Sequence, residues 1–121
     1  AGALSVVGDN PKNDIYLGTG GGPEGVITAA ALSCYGGQIQ GRLVLDKDEI
    51  FRAKKLGIQD FKKKYNTADM AKGDIIFCAT GITNGDLVKG ITLSKDSFEV
   101  QTLVLHKSQS IKKIIKNTYK R

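Results

Sequence analysis

The chain has 121 residues, of which 40% are hydrophobic and 25% are charged, and its formal net charge is +6. This composition is typical of one globular domain, and two cysteines are too few for a scaffold held together by disulfides. No apolar run approaches the length that crosses a bilayer, and nothing resembles a signal peptide. We therefore expect a cytoplasmic protein with reduced cysteines and no membrane partner.

The first half of the chain predicts helices that alternate with strands. Residues 1–7 resemble the interior of a helix without a capping residue, which suggests that the chain is a fragment. In chain order the pattern then predicts a turn, a strand, a helix, a strand and an amphipathic helix, over residues 8–13, 14–18, 26–35, 38–45 and 46–56. Pro23 lies in the first turn of the second helix, and Gly36 is placed to end it.

The second half is richer in predicted strands. Thr67 is expected to cap a short helical turn over residues 67–72. The run at 74–79 is continuously apolar, which is typical of a strand covered on both faces. Further strands are predicted over 91–93, 98–105 and 110–118. Together these elements predict an α/β protein, a layered α/β/α sandwich with a mixed, largely parallel sheet and a C-terminal β-hairpin.

The most informative segment is a glycine-rich loop, GTGGGPEG, at residues 18–25. It follows a predicted strand, it opens a predicted helix, and five of its eight residues are glycine. Glycines let the backbone approach a ligand closely, and the unpaired amides of the next helix suit an anion. So many glycines are entropically costly in a purely structural turn. We interpret the loop as one wall of an active site that is completed elsewhere.

A dinucleotide-binding domain of an oxidoreductase is one alternative. The loop formally matches G-x-G-x-x-G, and Asp46 lies at the end of the next predicted strand. However, Pro23 removes an amide where a pyrophosphate would seek one, and Glu24 adds a negative charge beside it. Glu24 would suit the loop if it held a divalent cation against a phosphate, or if it only complemented the helix dipole. Spacing alone leaves both roles for Glu24 open.

A non-catalytic basic domain that binds nucleic acid is the other alternative. Between His106 and Arg121 there are six basic residues and no acid. Such a stretch attracts polyanions, but aromatic residues are not interleaved in the way that a nucleic-acid platform requires. We therefore favour an edge hairpin whose lysines oppose aggregation, and expect no nucleic-acid partner.

Four segments carry a specific resemblance to class II fructose-1,6-bisphosphatases. They are DIYLGTGGGPEG, GGQIQGRL, DMAKGD and FCATGITNGDL, at residues 14–25, 36–43, 69–74 and 77–87. The resemblance extends over almost the whole chain, and it departs mildly at Gly22, where the family often has alanine. It implies a C-terminal α/β domain, residues 1–121, of a metal-dependent sugar phosphatase whose N-terminal domain is missing from this chain.

The resemblance also implies the chemistry. The family hydrolyses the 1-phosphate of fructose 1,6-bisphosphate in gluconeogenesis, and some relatives accept sedoheptulose 1,7-bisphosphate. Glu24 matches a carboxylate that ligates the catalytic metal, Mn²⁺ or Mg²⁺, and Gly21 matches a glycine whose backbone meets the substrate. No catalytic residue is expected in this chain, only the metal ligand and the substrate-binding glycine, so the isolated chain should be inactive. The missing N-terminal part is the expected partner, within a homo-oligomer.

Overall fold

The computed structural model describes residues 2–121, and its helices and strands form a mixed α/β protein. A 3-10 helix, Gly2–Val6, comes first, and residue 1 of the predicted N-terminal helix lies outside the described residues. The helices that follow are α1 (Gly22–Tyr35), α2 (Lys47–Lys55) and α3 (Thr67–Met70). The strands are β1 (Gln40–Arg42), β2 (Lys64–Asn66), β3 (Ile76–Thr80), β4 (Thr92–Leu93), β5 (Ser97–His106) and β6 (Ile111–Lys120). Within residues 2–121, every helix is too short or too polar to cross a membrane.

Helix α1 ends where the sequence predicts. Gly36 adopts a left-handed conformation with φ of 73°, and its amide donates to Ser33 O. The amide of Gly37 then donates to Leu32 O at 2.9 Å. A residue with a side chain would be strained at this φ, so glycine at position 36 stops the helix and turns the chain toward β1.

The predicted amphipathic helix is confirmed as α2, and local hydrogen bonds explain its start. Asp46 Oδ1 accepts from the amide of Glu49 at 2.8 Å, and Glu49 Oε2 accepts from the amide of Asp46 at 2.9 Å. This reciprocal capping box satisfies two amides that the first turn would leave unpaired. The strand predicted over 38–45 is shorter than expected, since β1 covers three residues and pairs antiparallel with β2.

The cap predicted for the short helix is wrong by one residue. Asn66, not Thr67, precedes α3, and its side chain accepts from the amide of Asp69 at 2.9 Å. Thr67 Oγ1 instead accepts from the amide of Ile39 at 2.9 Å. Thr67 therefore ties α3 to the segment that follows α1.

The larger sheet is organised around β5. Strands β3 and β4 pair with the two ends of β5 along one edge, and β6 pairs with all of β5 along the other edge. The C-terminal β-hairpin predicted from the sequence is confirmed by this β5–β6 pairing. Helix α1 packs on one face of the sheet, where Leu32 and Cys34 meet Leu103 and Leu105 in the main core cluster.

The predicted largely parallel sheet and layered sandwich are not found. Every strand pairing in residues 2–121 is antiparallel. A parallel pair needs a crossover of a dozen or more residues, usually a helix, between its strands. Helix α2 joins the antiparallel strands β1 and β2, and the segment between β3 and β5 contains no helix.

Two strand predictions are not confirmed in residues 2–121: one face of β3 is not covered, and the segment 14–18 does not pair with a strand. Strand β3 was expected to be covered on both faces, yet Ile76 is 67% exposed and Cys78 is also exposed. The segment 14–18 is not assigned as a strand, and Leu17 is 82% exposed. An apolar run indicates that a segment is suited to burial, but it does not supply the layer or strand that buries it.

Candidate active-site loop

The glycine-rich loop reaches α1 in an extended conformation. Gly21 is the N-cap, with φ of −69° and ψ of 157°, and it offers no side chain to cap the helix. Its carbonyl accepts the first helical hydrogen bond, from the amide of Gly25 at 3.1 Å. The amides of Gly22 and Glu24 lie in the first turn, where a helix provides no partner, and Pro23 has no amide hydrogen. The exposed start of α1 therefore directs two N–H groups outward.

Gly21 and Glu24 are in contact. A Cβ placed on Gly21 would collide with Glu24 Oε2 and lie 3.2 Å from Glu24 Cδ. The backbone of Gly21 is in an ordinary extended region, so a larger residue at this position would require only that the exposed Glu24 side chain rotate away. At Gly20 and Gly22 a Cβ would meet nothing within 4 Å. The carboxylate therefore lies over the N-cap and forms one unit with the backbone of Gly21.

The donor chemistry of Glu24 fits Mg²⁺ or Mn²⁺, but one carboxylate does not complete a site. Both ions favour carboxylate oxygens, and their sites use several oxygen ligands. Across residues 2–121, no group of three or more His, Cys, Asp or Glu residues is placed to hold a metal. The position of Glu24 in the first turn of α1 also complements the helix dipole. Its location is thus compatible with both roles that the sequence left open.

The dinucleotide alternative lacks its structural context. A dinucleotide-binding unit needs parallel strands on either side of the glycine-rich loop and its helix. No strand precedes the loop within the described residues, and β1, which follows α1, pairs antiparallel with β2. Asp46, the residue that would contact a ribose, is engaged as the cap of α2. The glycine spacing alone does not make this loop a nucleotide site.

Thr80, at the end of β3, has a structural hydrogen bond. Its hydroxyl lies 2.8 Å from the hydroxyl of Thr102, its cross-strand neighbour on β5. This cross-strand hydrogen bond links β3 to β5. The loop that follows is tightly folded, because a Cβ on Gly90 would come within 2.6 Å of the backbone of Thr83.

A polar cluster around Asp74 was not anticipated. Asp74 Oδ1 accepts from the amides of Ile75 and Ser108, at 2.9 and 3.0 Å. Its Oδ2 lies 2.7 Å from Ser108 Oγ and 2.8 Å from His106 Nε2. The hydrogen bonds from Ser108 and His106 hold the pKa of Asp74 well below its usual range, because they favour the ionised carboxylate.

This cluster is not arranged as a catalytic triad. Ser108 Oγ lies 3.2 Å from His106 Nε2, but its hydroxyl donates to Asp74 Oδ2, the same carboxylate oxygen that contacts His106 Nε2, so the serine proton is directed at the carboxylate and not at the imidazole. The three residues instead connect the start of β3 to the β5–β6 turn. Asp74 and His106 are 32 positions apart in the sequence, and the pairing of β3 with β5 brings them together. The cluster can therefore be predicted only when the β3–β5 register is known.

The basic residues of β6 are divided between the two faces of the sheet, with Lys112, Lys116 and Lys120 on the face that packs against α1 and Lys113 on the other. On β6, Lys113 lies on one face of the sheet and Lys112 on the other, as their pairing with Val104 and Leu105 requires. Lys112 Nζ lies 4.9 Å from the centre of the Tyr35 ring, a cation–π contact that ties the hairpin to α1. This arrangement gives no support to a nucleic-acid surface.

Comparison with known proteins places the loop within a recognised family. The family model described as bacterial fructose-1,6-bisphosphatase, glpX-encoded, matches residues 1–119. A protein of Trichodesmium erythraeum named D-fructose 1,6-bisphosphatase class 2/sedoheptulose 1,7-bisphosphatase is 37% identical over 103 residues. A protein of the same name from Synechococcus sp. (strain JA-3-3Ab) is 38% identical over 103 residues. Each match covers 74% of this chain and 30% of the relative, so the chain spans about a third of the length of these relatives.

Proposed function

We propose that this chain, which belongs to the family of glpX-encoded bacterial fructose-1,6-bisphosphatases, supplies one wall of the active site of such an enzyme. The reaction is hydrolysis of the 1-phosphate of fructose 1,6-bisphosphate to fructose 6-phosphate, a step of gluconeogenesis. The observation that carries the proposal is the contact between the Glu24 carboxylate and the backbone of Gly21 at the start of α1. The four matching segments support it, because the first of them, residues 14–25, contains both Gly21 and Glu24.

Glu24 would hold a divalent metal, Mn²⁺ or Mg²⁺, in the complete enzyme. The bound metal would polarise the phosphoryl group, promote ionisation of an attacking water and stabilise the leaving oxygen. Gly21 lets the carboxylate and the substrate approach the same stretch of backbone, since no side chain fills that space. The outward amides of the first turn of α1 would orient anionic phosphate oxygens, helped by the positive end of the helix dipole.

The other metal ligands would come from the rest of a longer polypeptide. One exposed carboxylate cannot bind Mn²⁺ or Mg²⁺ as these ions are bound in enzymes, because several oxygen ligands are required. We therefore propose that the isolated chain is inactive. In the complete form the protein would act in the cytoplasm, as a homo-oligomer. Since the relatives are named for both sugars, sedoheptulose 1,7-bisphosphate is the second substrate to assay.

Phosphate release tests this proposal directly. The purified 121-residue chain is assayed with fructose 1,6-bisphosphate and Mn²⁺ or Mg²⁺. It is then assayed as the C-terminal part of a chimera in which it replaces the matching stretch of the Trichodesmium erythraeum relative. We expect release from the chimera alone, lost with a chelator and regained with added metal. A folded chimera without metal-dependent release, or an isolated chain with turnover of its own, would contradict the proposal.

A further inference from the structure

The segment that leads into the glycine-rich loop is not held by hydrogen bonds. Residues 14–20 form neither helix nor strand, and none of the hydrogen bonds within residues 2–121 involves them. The turn before the segment is fixed, because the amides of Lys12 and Asn13 donate to Ser5 O at 2.8 and 3.2 Å. Beyond the segment, the start of α1 is fixed by its own helical hydrogen bonds. Side-chain packing must therefore position residues 14–20.

Tyr16 supplies that packing, because its ring lies against glycine backbone on two sides. A Cβ placed on Gly2 would come 2.9 Å from Tyr16 Cε2 and 3.2 Å from the hydroxyl oxygen. A Cβ placed on Gly18 would lie 3.4 Å from Cε1, on the opposite edge of the ring. The ring thus connects the 3-10 helix at the start of the chain with the first glycine of the loop.

The neighbours of Tyr16 do not share this role. Ile15 and Leu17 are 70% and 82% exposed, whereas Tyr16 is 53% exposed. Between Gly18 and the N-cap of α1 nothing else limits the backbone, since a Cβ on Gly20 would meet nothing within 4 Å. A displacement of Gly18 would therefore be passed along the chain to the start of α1.

The ring of Tyr16, and not its hydroxyl, makes the contact with the described chain. Within residues 2–121 the hydroxyl takes part in no hydrogen bond, and the residue is half exposed. Phenylalanine has the same ring edges and would make the same contacts with Gly2 and Gly18. The two parts of the side chain can therefore be tested separately.

We propose that Tyr16 is a positioning residue for the proposed reaction. Its ring holds the glycine-rich loop against the 3-10 helix and so sets where Glu24 presents its carboxylate to a metal. The effect on catalysis rests on the proposed function, whereas the packing of the ring is a property of this chain alone. The packing and its effect on catalysis are therefore measured separately.

NMR spectroscopy of the 121-residue chain tests the packing. We expect nuclear Overhauser effects between the Tyr16 ring protons and the α protons of Gly2 and Gly18, which Tyr16→Phe should retain. In Tyr16→Ala the backbone order parameters of Gly18 and Gly20 should fall from near the rigid value of about 0.85 to below about 0.6.

Kinetics of the chimera with the Trichodesmium erythraeum relative test the positioning. Tyr16→Ala should lower turnover by about tenfold to a hundredfold and raise the half-saturating Mn²⁺ concentration, because small misplacements of reacting groups are costly. Tyr16→Phe should stay within about twofold of the unsubstituted chimera in both quantities. Phe51→Ala is the control, because Phe51 is an aromatic residue of similar exposure, 60%, on α2, and its loss should change neither.

Three results would overturn the proposal. The first is the absence of Overhauser effects between the Tyr16 ring and Gly2. The second is an equal loss of turnover in Tyr16→Phe and Tyr16→Ala, which would assign the effect to the hydroxyl. The third is a Tyr16→Ala chimera with a lower urea midpoint but an unchanged Mn²⁺ requirement, which would indicate a structural role alone.

The failure of the proposed function would look different. An unsubstituted, folded chimera without phosphate release would contradict the function, and the spectra of the 121-residue chain would still decide whether Tyr16 holds the loop. Flexible glycines in Tyr16→Ala together with rigid ones in Tyr16→Phe would support that role. Order parameters that do not differ between these two variants would contradict it.

Discussion

Replacing Gly21 with alanine should separate the structural role of the loop from its catalytic role. The backbone angles of Gly21 are allowed for alanine, so the substitution introduces no backbone strain. The new Cβ would, however, occupy the space of Glu24 Oε2, and the carboxylate would have to rotate away from the N-cap. Alanine is also a poorer N-cap than glycine, by roughly 0.7 kcal/mol, but it reduces the conformational entropy of the unfolded chain, which returns about 0.4–1 kcal/mol.

The expected magnitudes for stability and activity are therefore different. Unfolding free energy should change by less than about 0.5 kcal/mol, which shifts the urea midpoint by less than about 0.3 M if the slope is about 2 kcal/mol per M. Turnover in the complete enzyme should fall by about tenfold to a hundredfold, since a displaced metal ligand removes roughly 1.4–2.8 kcal/mol of transition-state stabilisation. The half-saturating Mn²⁺ concentration should rise in parallel.

Gly20→Ala is the matched control, because a Cβ at position 20 meets nothing within 4 Å. Urea unfolding and metal-dependent phosphate release are measured for both variants in the complete enzyme. If Gly21→Ala matched Gly20→Ala in turnover and in metal requirement, the contact between Gly21 and Glu24 would have no role in catalysis, which would contradict the prediction.

Two further predictions concern the sheet. Leu105 is fully buried in the core beneath α1. Leu105→Ala should therefore lower the unfolding free energy by about 2–5 kcal/mol in urea titrations, and a loss below about 1 kcal/mol would contradict the assigned core. The pKa of Asp74 is lower in the folded protein than the ordinary value for an aspartate, about 3.9. The ionised carboxylate therefore stabilises the fold at pH values above about 3.9, and this stabilisation is lost as the pH falls below that value. The melting temperature of the native protein should thus drop more steeply with acidification than that of Asp74→Asn, and equal slopes would refute the linkage.

The features predicted correctly from the sequence depend on local signals. Gly36 ends α1 because of its own backbone angle, and Asp46 begins α2 through a bond to a residue three positions later. The β5–β6 hairpin is similarly local, since its strands are adjacent in the chain. The glycine-rich loop is local in the same way: its residues are contiguous, and its second half, from Gly22 to Gly25, forms the first turn of α1.

The features that were missed depend on partners distant in the chain. The antiparallel order of the sheet follows from the pairing of β3 with β5, which no local pattern encodes. The hydrogen bonds of Asp74 with His106 and Ser108 arise from the same pairing. Asn66 and Thr67 are both good N-cap residues, so local preference does not decide between them. The side chain of Thr67 instead accepts a hydrogen bond from the distant amide of Ile39. Glu24 and Gly21 are close in the sequence, but the distance between the Glu24 carboxylate and Gly21 depends on the conformation of the Glu24 side chain, which the sequence does not predict.

Glu24→Gln in the complete enzyme tests the central claim most directly, with Glu49→Gln as its control. Glu49 occupies the equivalent third position of α2, where its carboxylate accepts from the amide of Asp46. Both substitutions remove one charge near a helix N-terminus, and each should cost about 0.3–1 kcal/mol of stability. We predict that Glu24→Gln lowers metal-dependent phosphate release from fructose 1,6-bisphosphate by at least about a hundredfold, with partial recovery at high Mn²⁺, while Glu49→Gln keeps its rate. Normal turnover of Glu24→Gln at low metal concentration would contradict the assignment of Glu24 as a metal ligand.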